Sequence, residues 1–94
     1  DVLMNTTNRE VMIQDQKIVL TKVEYDLLKM FLEHPREAVS RETLLQSIWG
    51  FQYDGDTRIV DVHVFKLKGK LKESRVSFKS VRGVGYKLVK KDDE

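Results

Sequence analysis

The sequence predicts an α+β fold in which helices lie between strand-rich ends. Short apolar runs separated by turn residues occupy both ends of the chain. Three stretches between them carry apolar residues at helical spacing. The 94 residues, 40% apolar and 34% charged, amount to one domain with one modest core.

The elements follow in order. Val11-Met12-Ile13 and Ile18-Val19-Leu20 flank Gln14-Asp15-Gln16-Lys17, which reads as a hairpin turning at Asp15-Gln16. Val2-Leu3-Met4 supplies a preceding strand, and nothing in this platform carries chemistry. Thr21-Lys22-Val23-Glu24 is a capping box. Val23, Leu27, Leu28, Phe31 and Leu32 then mark the first helix, which His34-Pro35 stops because the residue before proline is pushed out of the α region. After an extended Ala38-Val39, Ser40 caps a second helix with Leu44, Leu45, Ile48 and Trp49 on its apolar face, and Gly50 ends it. A loop with two aromatics, Phe51 and Tyr53, runs through Asp54-Gly55-Asp56.

The third helix spans about Thr57 to Lys72, with Val60, Val64, Leu67 and Leu71 on one face. The opposite face carries Arg58, Val62, Phe65, Lys66 and Gly69, with Ile59 and His63 at its edge. A helix that only met water would rarely place Val and Phe there, whereas one that reads a DNA groove would. Gly69 lowers helix propensity by about 1 kcal/mol relative to Ala. It either permits close backbone approach or marks a weak helix end. The segment from Val76 to Val89 is a second hairpin turning at Gly83-Val84, with Arg82 at its tip.

Charge separates these elements. Residues 1–56 hold 6 Lys/Arg and 10 Asp/Glu, a net of −4, whereas residues 57–91 hold 11 Lys/Arg and two acids, a net of +9. The tail Asp92-Asp93-Glu94 brings the total to +2. A basic block of this kind attracts polyanions. Helix, helix, basic helix and basic hairpin are the layout of a helix-turn-helix with a wing, with the helix in the major groove and the hairpin at a minor groove. A protein-interaction module on the same fold is the alternative.

Other classes are excluded. The absence of cysteine removes disulfide scaffolds, cysteine zinc sites and thiol nucleophiles. His34 and His63 are the only histidines, and no hydrolase elbow, zinc-protease helix or calcium loop is present. Gly83-Val84-Gly85 lacks the rest of a phosphate loop. The expectation is no enzyme, no cofactor, no metal and no membrane span.

The run Leu20-Thr21-Lys22-Val23-Glu24-Tyr25-Asp26-Leu27-Leu28 resembles the effector domain of OmpR/PhoB-type response regulators. So do Val39-Ser40-Arg41-Glu42-Thr43-Leu44-Leu45, Ile48-Trp49-Gly50, residues 53–64 and Ser80-Val81-Arg82-Gly83-Val84-Gly85-Tyr86. The resemblance implies a winged helix-turn-helix: an N-terminal four-stranded antiparallel sheet, three helices and a C-terminal hairpin wing. It implies sequence-specific binding of double-stranded promoter DNA, at direct repeats and by head-to-tail pairs, in the bacterial cytoplasm. Arg58, Val62, His63, Lys66 and Lys68 fall where the family's recognition helix meets bases or backbone, and Arg82 falls on the wing arginine of the minor groove. Phe65 and Lys70 complete the candidate DNA-contacting set. Trp49, Phe51, Tyr53 and Asp54 fall on the segment that in this family can contact RNA polymerase, although Trp49 also sits on the core face. Ile59, Phe65 and Gly69 depart from the family's usual residues, and Lys66, Lys68 and Lys70 stand where Arg is frequent. Lysine lacks the planar fork of Arg, which shifts the balance from guanine readout toward phosphate contact. The 94 residues leave no room for a phosphorylatable receiver domain, so the chain is expected to be a single effector domain over residues 1–94.

Overall fold

Thr21 and Glu24 cap each other as their spacing predicts. In the computed structural model, which describes residues 2–50 and 55–93, helix α1 runs Lys22–Glu33. The Glu24 amide donates to the Thr21 hydroxyl at 3.2 Å, and the Thr21 amide donates to the Glu24 carboxylate at 2.8 Å. His34 is the C-cap, one residue before Pro35. Helix α2 (Arg41–Ile48) starts at Ser40, whose hydroxyl accepts from the Thr43 amide at 3.0 Å. It ends at Gly50, in the left-handed region with φ +97°, whose amide donates to the Gln46 carbonyl at 3.1 Å. Helix α3 covers Arg58–Lys70, shorter at both ends than the spacing predicts, because Thr57 and Leu71 are its caps.

Strands β1 (Val2–Asn5), β2 (Glu10–Ile13) and β3 (Gln16–Ile18) form an antiparallel sheet in that order. Alternation sets its faces: Val11 and Ile13 are buried, while Leu3 faces solvent. The β2–β3 turn lies one residue earlier than the sequence suggests. Gln14 and Asp15 occupy it with φ +49° and +66°, and Ile13 pairs with Gln16. Two left-handed residues give the turn the twist that flanking strands need.

The N-terminal sheet has three strands, not the four that the family resemblance implies. Leu20 runs directly into the Thr21 cap, so no length remains for another strand before α1. The next extended segment, β4 (Val39–Ser40), lies beyond α1 and pairs elsewhere. It joins β6 (Gly85–Lys90), which also pairs with β5 (Val76–Val81), in a second sheet of order β4-β6-β5. Gly85 permits that contact, because a Cβ there would lie 2.1 Å from the Val39 carbonyl oxygen. The wing turns through Arg82-Gly83-Val84, with Gly83 at φ +77° and the Val84 amide donating to the Val81 carbonyl at 2.9 Å.

One core draws on both sheets and all three helices. Val11 and Ile13 meet Leu27, Leu28 and Phe31 of α1, Leu44 of α2, and Val60, Val64 and Leu67 of α3. Phe78 and Leu88 close it from the wing, with the Phe31 and Phe78 rings edge to face at 4.8 Å. The core consumes the predicted inner face of α3 entirely, which leaves the opposite face free of any packing duty.

Candidate nucleic-acid interface

Helix α3 presents that opposite face to solvent. Val62 is 50% exposed and Phe65 77%, whereas Val60, Val64 and Leu67 are almost fully buried. Arg58, Lys66 and Gly69 share the outer face and are exposed. Lys68, seven residues beyond Asp61, lies on the same flank as that aspartate and is also exposed. Arg82 stands exposed at the wing turn. Lys66, Lys68 and Arg82 have no carboxylate partner among the described residues.

The other candidate residues are held by neighbours. Asp56 begins α3 in place of a Thr57 side-chain cap, since its carboxylate accepts from the Arg58 amide at 2.8 Å. The same carboxylate holds the Arg58 guanidinium at 2.7 Å. That hydrogen bond keeps the Asp56 carboxyl below its ordinary range. His63 is half-buried: its Nδ1–H donates to the Ile59 carbonyl at 2.9 Å, and its ring meets Trp49 edge to face at 5.4 Å. Trp49 in turn packs against the core. The Lys70 ammonium reaches inward to the buried Glu24 carboxylate at 2.6 Å, away from the outer face. Burial pushes the Glu24 carboxyl up, but its hydrogen bonds from Lys70 and Thr21 outweigh burial and leave it below the ordinary value. Phe51, Tyr53 and Asp54 lie outside the described residues.

A group that the sequence reading does not single out ties α3 to the wing. Asp61 accepts from Arg41 Nε at 2.9 Å and from the Tyr86 hydroxyl. The Arg41 guanidinium lies over the Tyr86 ring, 5.0 Å from its centroid. The start of α2, the outer flank of α3 and the central wing strand therefore meet at one carboxylate. Burial, and then the Asp61 hydrogen bond, raise the Tyr86 hydroxyl's pKa, so it stays a neutral donor. The available signal was Asp61 itself, the only acid in an otherwise basic helix.

Among the described residues, no group of three or more His, Asp or Glu side chains is placed to hold a metal ion. Among them, too, no helix is long and apolar enough to cross a membrane.

The family described as transcriptional regulatory protein, C terminal, matches residues 15–88, most of the chain. The chain belongs to this family, the effector domains of OmpR/PhoB-type response regulators. Among its relatives, this effector domain is 40% identical over 90 residues to the uncharacterized transcriptional regulatory protein YkoG of Bacillus subtilis, covering 94% of the chain and 40% of YkoG. It is 34% identical to the heme response regulator HssR of Staphylococcus saprophyticus, again over 94% of the chain and 40% of the relative. The effector domain thus spans about two fifths of the curated relatives it matches. Its fold is similar to the DNA-binding domain of Bacillus subtilis CssR, with a TM-score of 0.87 and 33% identity, over 95% of this chain and all of that one. It is also similar to the Klebsiella pneumoniae RstA DNA-binding domain in complex with the RstA box, with a TM-score of 0.82 and 30% identity, over 94% of this chain and 90% of that one. These neighbours bear out the winged helix-turn-helix of the effector domain.

Proposed function

We propose that this chain binds promoter DNA sequence-specifically as the output domain of a two-component response regulator. Helix α3 enters the major groove, and the Arg82 turn reaches the adjacent minor groove. The outer face of α3 carries the proposal: two exposed apolar side chains stand beside Lys66 and Lys68, which no carboxylate among the described residues neutralises, and beside Arg58, which is paired with Asp56. Phosphates supply the missing counter-charge, and base edges supply apolar and hydrogen-bonding contacts. The RstA domain, similar over 94% of this chain, is bound to its DNA box.

Residues 1–94 act as one effector domain in the bacterial cytoplasm, paired head to tail on direct repeats. The Trp49 end of α2 and the loop with Phe51, Tyr53 and Asp54 offer the surface for RNA polymerase. Within the DNA-contacting set, Lys66, Lys68 and Arg82 serve phosphates, Arg58 and Val62 reach base edges, and His63 supports the helix from its flank.

Site selection from a random duplex pool, followed by salt titration on the selected and scrambled duplexes, tests this. The selected duplex is expected to bind more tightly, with log K falling against log salt by roughly 0.9 per phosphate contacted. Lys66→Ala and Lys68→Ala each shallow that slope by about one unit. Equal affinity for selected and scrambled duplexes overturns the specific reading.

A further inference from the structure

Phe65 has no structural employment. The inner stripe of α3 is complete without it, its ring is 77% exposed, and no aromatic or polar partner holds it among the described residues. One turn further along the same face is Gly69, inside the helix and with nothing within 4 Å of where its Cβ would stand. No internal contact requires a glycine there, and it weakens the helix relative to alanine. Its effect is on Phe65. A helical side chain covers the surface over the turn before its own Cα, so a side chain at position 69 would lie back across the Phe65 ring. Glycine leaves that ring uncovered.

The surroundings name the ligand. Val62, three residues before Phe65, is 50% exposed and extends the apolar strip. Lys66, bare among the described residues, and Arg58, paired with Asp56 just before the helix, flank it, and the one carboxylate of the helix, Asp61, is engaged by Arg41 and Tyr86. An apolar strip beside a bare cation does not suit an apolar protein surface, which would leave Lys66 desolvated and unpaired. It suits a major groove, where phosphates flank the floor and the thymine 5-methyl is the floor's apolar group. We propose that Phe65, in the opening left by Gly69, is a specificity-determining residue that reads the 5-methyl group of a thymine in the bound site. This rests on the DNA-binding reading above and adds the chemical group that is recognised.

Deoxyuridine differs from thymidine only by that methyl, so replacing each thymine of the selected duplex in turn isolates the contact. Wild type is expected to lose about fourfold in affinity at one or two positions, the equivalent of one buried methyl each. Phe65→Ala should abolish the thymine-over-uracil preference at one of those positions and leave the salt slope unchanged. Phe65→Leu, which keeps an apolar group, should retain part of it. Gly69→Met, which covers the ring, should lower the preference while raising the melting temperature. Equal affinity of wild type for thymine and uracil at every position overturns the proposal, even if binding is sequence-specific. So does a preference that survives Phe65→Ala at every position. Failure to distinguish selected from scrambled DNA is a separate result and overturns the underlying function.

Discussion

In the half of the chain ending at Asp56, Lys17 lies 3.2 Å from Glu10, Lys22 3.1 Å from Asp26 and Lys29 4.0 Å from Glu33. Arg41 lies 2.9 Å from Asp61. In the stretch beyond, Lys66, Lys68 and Arg82 are exposed without a carboxylate partner among the described residues, and the ion pairs of Arg58 and Lys70 reach back to Asp56 and Glu24 of the first half. The first half thus pairs four of its six cations, Arg9 and Arg36 being the exceptions among the described residues, whereas most cations beyond it are bare. Among the bare cations beyond Asp56, Lys66 and Lys68 stand on helix α3 and Arg82 at the hairpin tip. Unpaired charge on rigid elements is held ready for an outside anion, and paired charge belongs to the fold.

Lys70 gives the largest expected effect, because it belongs by sequence to the bare half and by geometry to the paired one. Lys70→Met leaves the Glu24 carboxylate buried and without its ammonium. Breaking a fully buried pair costs about 3–5 kcal/mol; the Lys70 head is partly hydrated, so roughly 2–3 kcal/mol is expected. Urea denaturation at neutral pH measures it as a lower midpoint. The pH dependence has a definite sign. The folded Glu24 carboxyl titrates below its unfolded value, so the pair's contribution is complete above about pH 5 and is lost as the pH falls through the folded pKa. The difference between wild type and Lys70→Met should therefore shrink on acidification. The variant's DNA-binding salt slope should stay within half a unit of wild type, and a full unit's loss would return Lys70 to the bare set.

Tyr86→Phe comes next. It removes the hydroxyl that donates to Asp61 and keeps the ring beneath Arg41. About 1 kcal/mol of stability is expected to go, the net worth of one hydrogen bond. The wing is then less firmly set against α3, so affinity for the selected duplex should fall more than affinity for scrambled DNA. Equal losses on both would mean that the Asp61 group stabilises the fold without orienting the two DNA-facing elements.

The sequence made some of this visible and hid the rest for a physical reason. Thr21 and Glu24 sit three residues apart, and Val60, Val64 and Leu67 share one face by helical period alone, so the caps and the two faces of α3 could be read locally. The contacts that turn Lys70 inward or join Asp61 to Tyr86 span 46 and 25 residues. They depend on how α1, α3 and the wing dock, which no local pattern encodes. Strand β4 is only two residues long, too short to show a period, and its pairing with β6 rests on the missing side chain of Gly85. The candidate contacts divide in the same way. Phe65 and Lys66 are exposed because helical spacing says so, while His63 is drawn toward Trp49 by packing that spacing does not contain.

The smallest expected effect tests the paired half directly. Lys29→Ala removes one arm of an exposed pair spaced four residues apart on α1. Such pairs contribute about 0.2–0.5 kcal/mol, and alanine's better helix propensity offsets part of that, so the urea midpoint should hardly move. Its DNA-binding salt slope should match wild type, since α1 contributes its face to the core and its charges to one another. Against Lys66→Ala, which removes the same charge from the same type of side chain, the two slopes should differ by about one unit. If Lys29→Ala shallows the slope as much as Lys66→Ala, charge acts through the whole molecule's field, and the division between paired and bare cations loses its meaning.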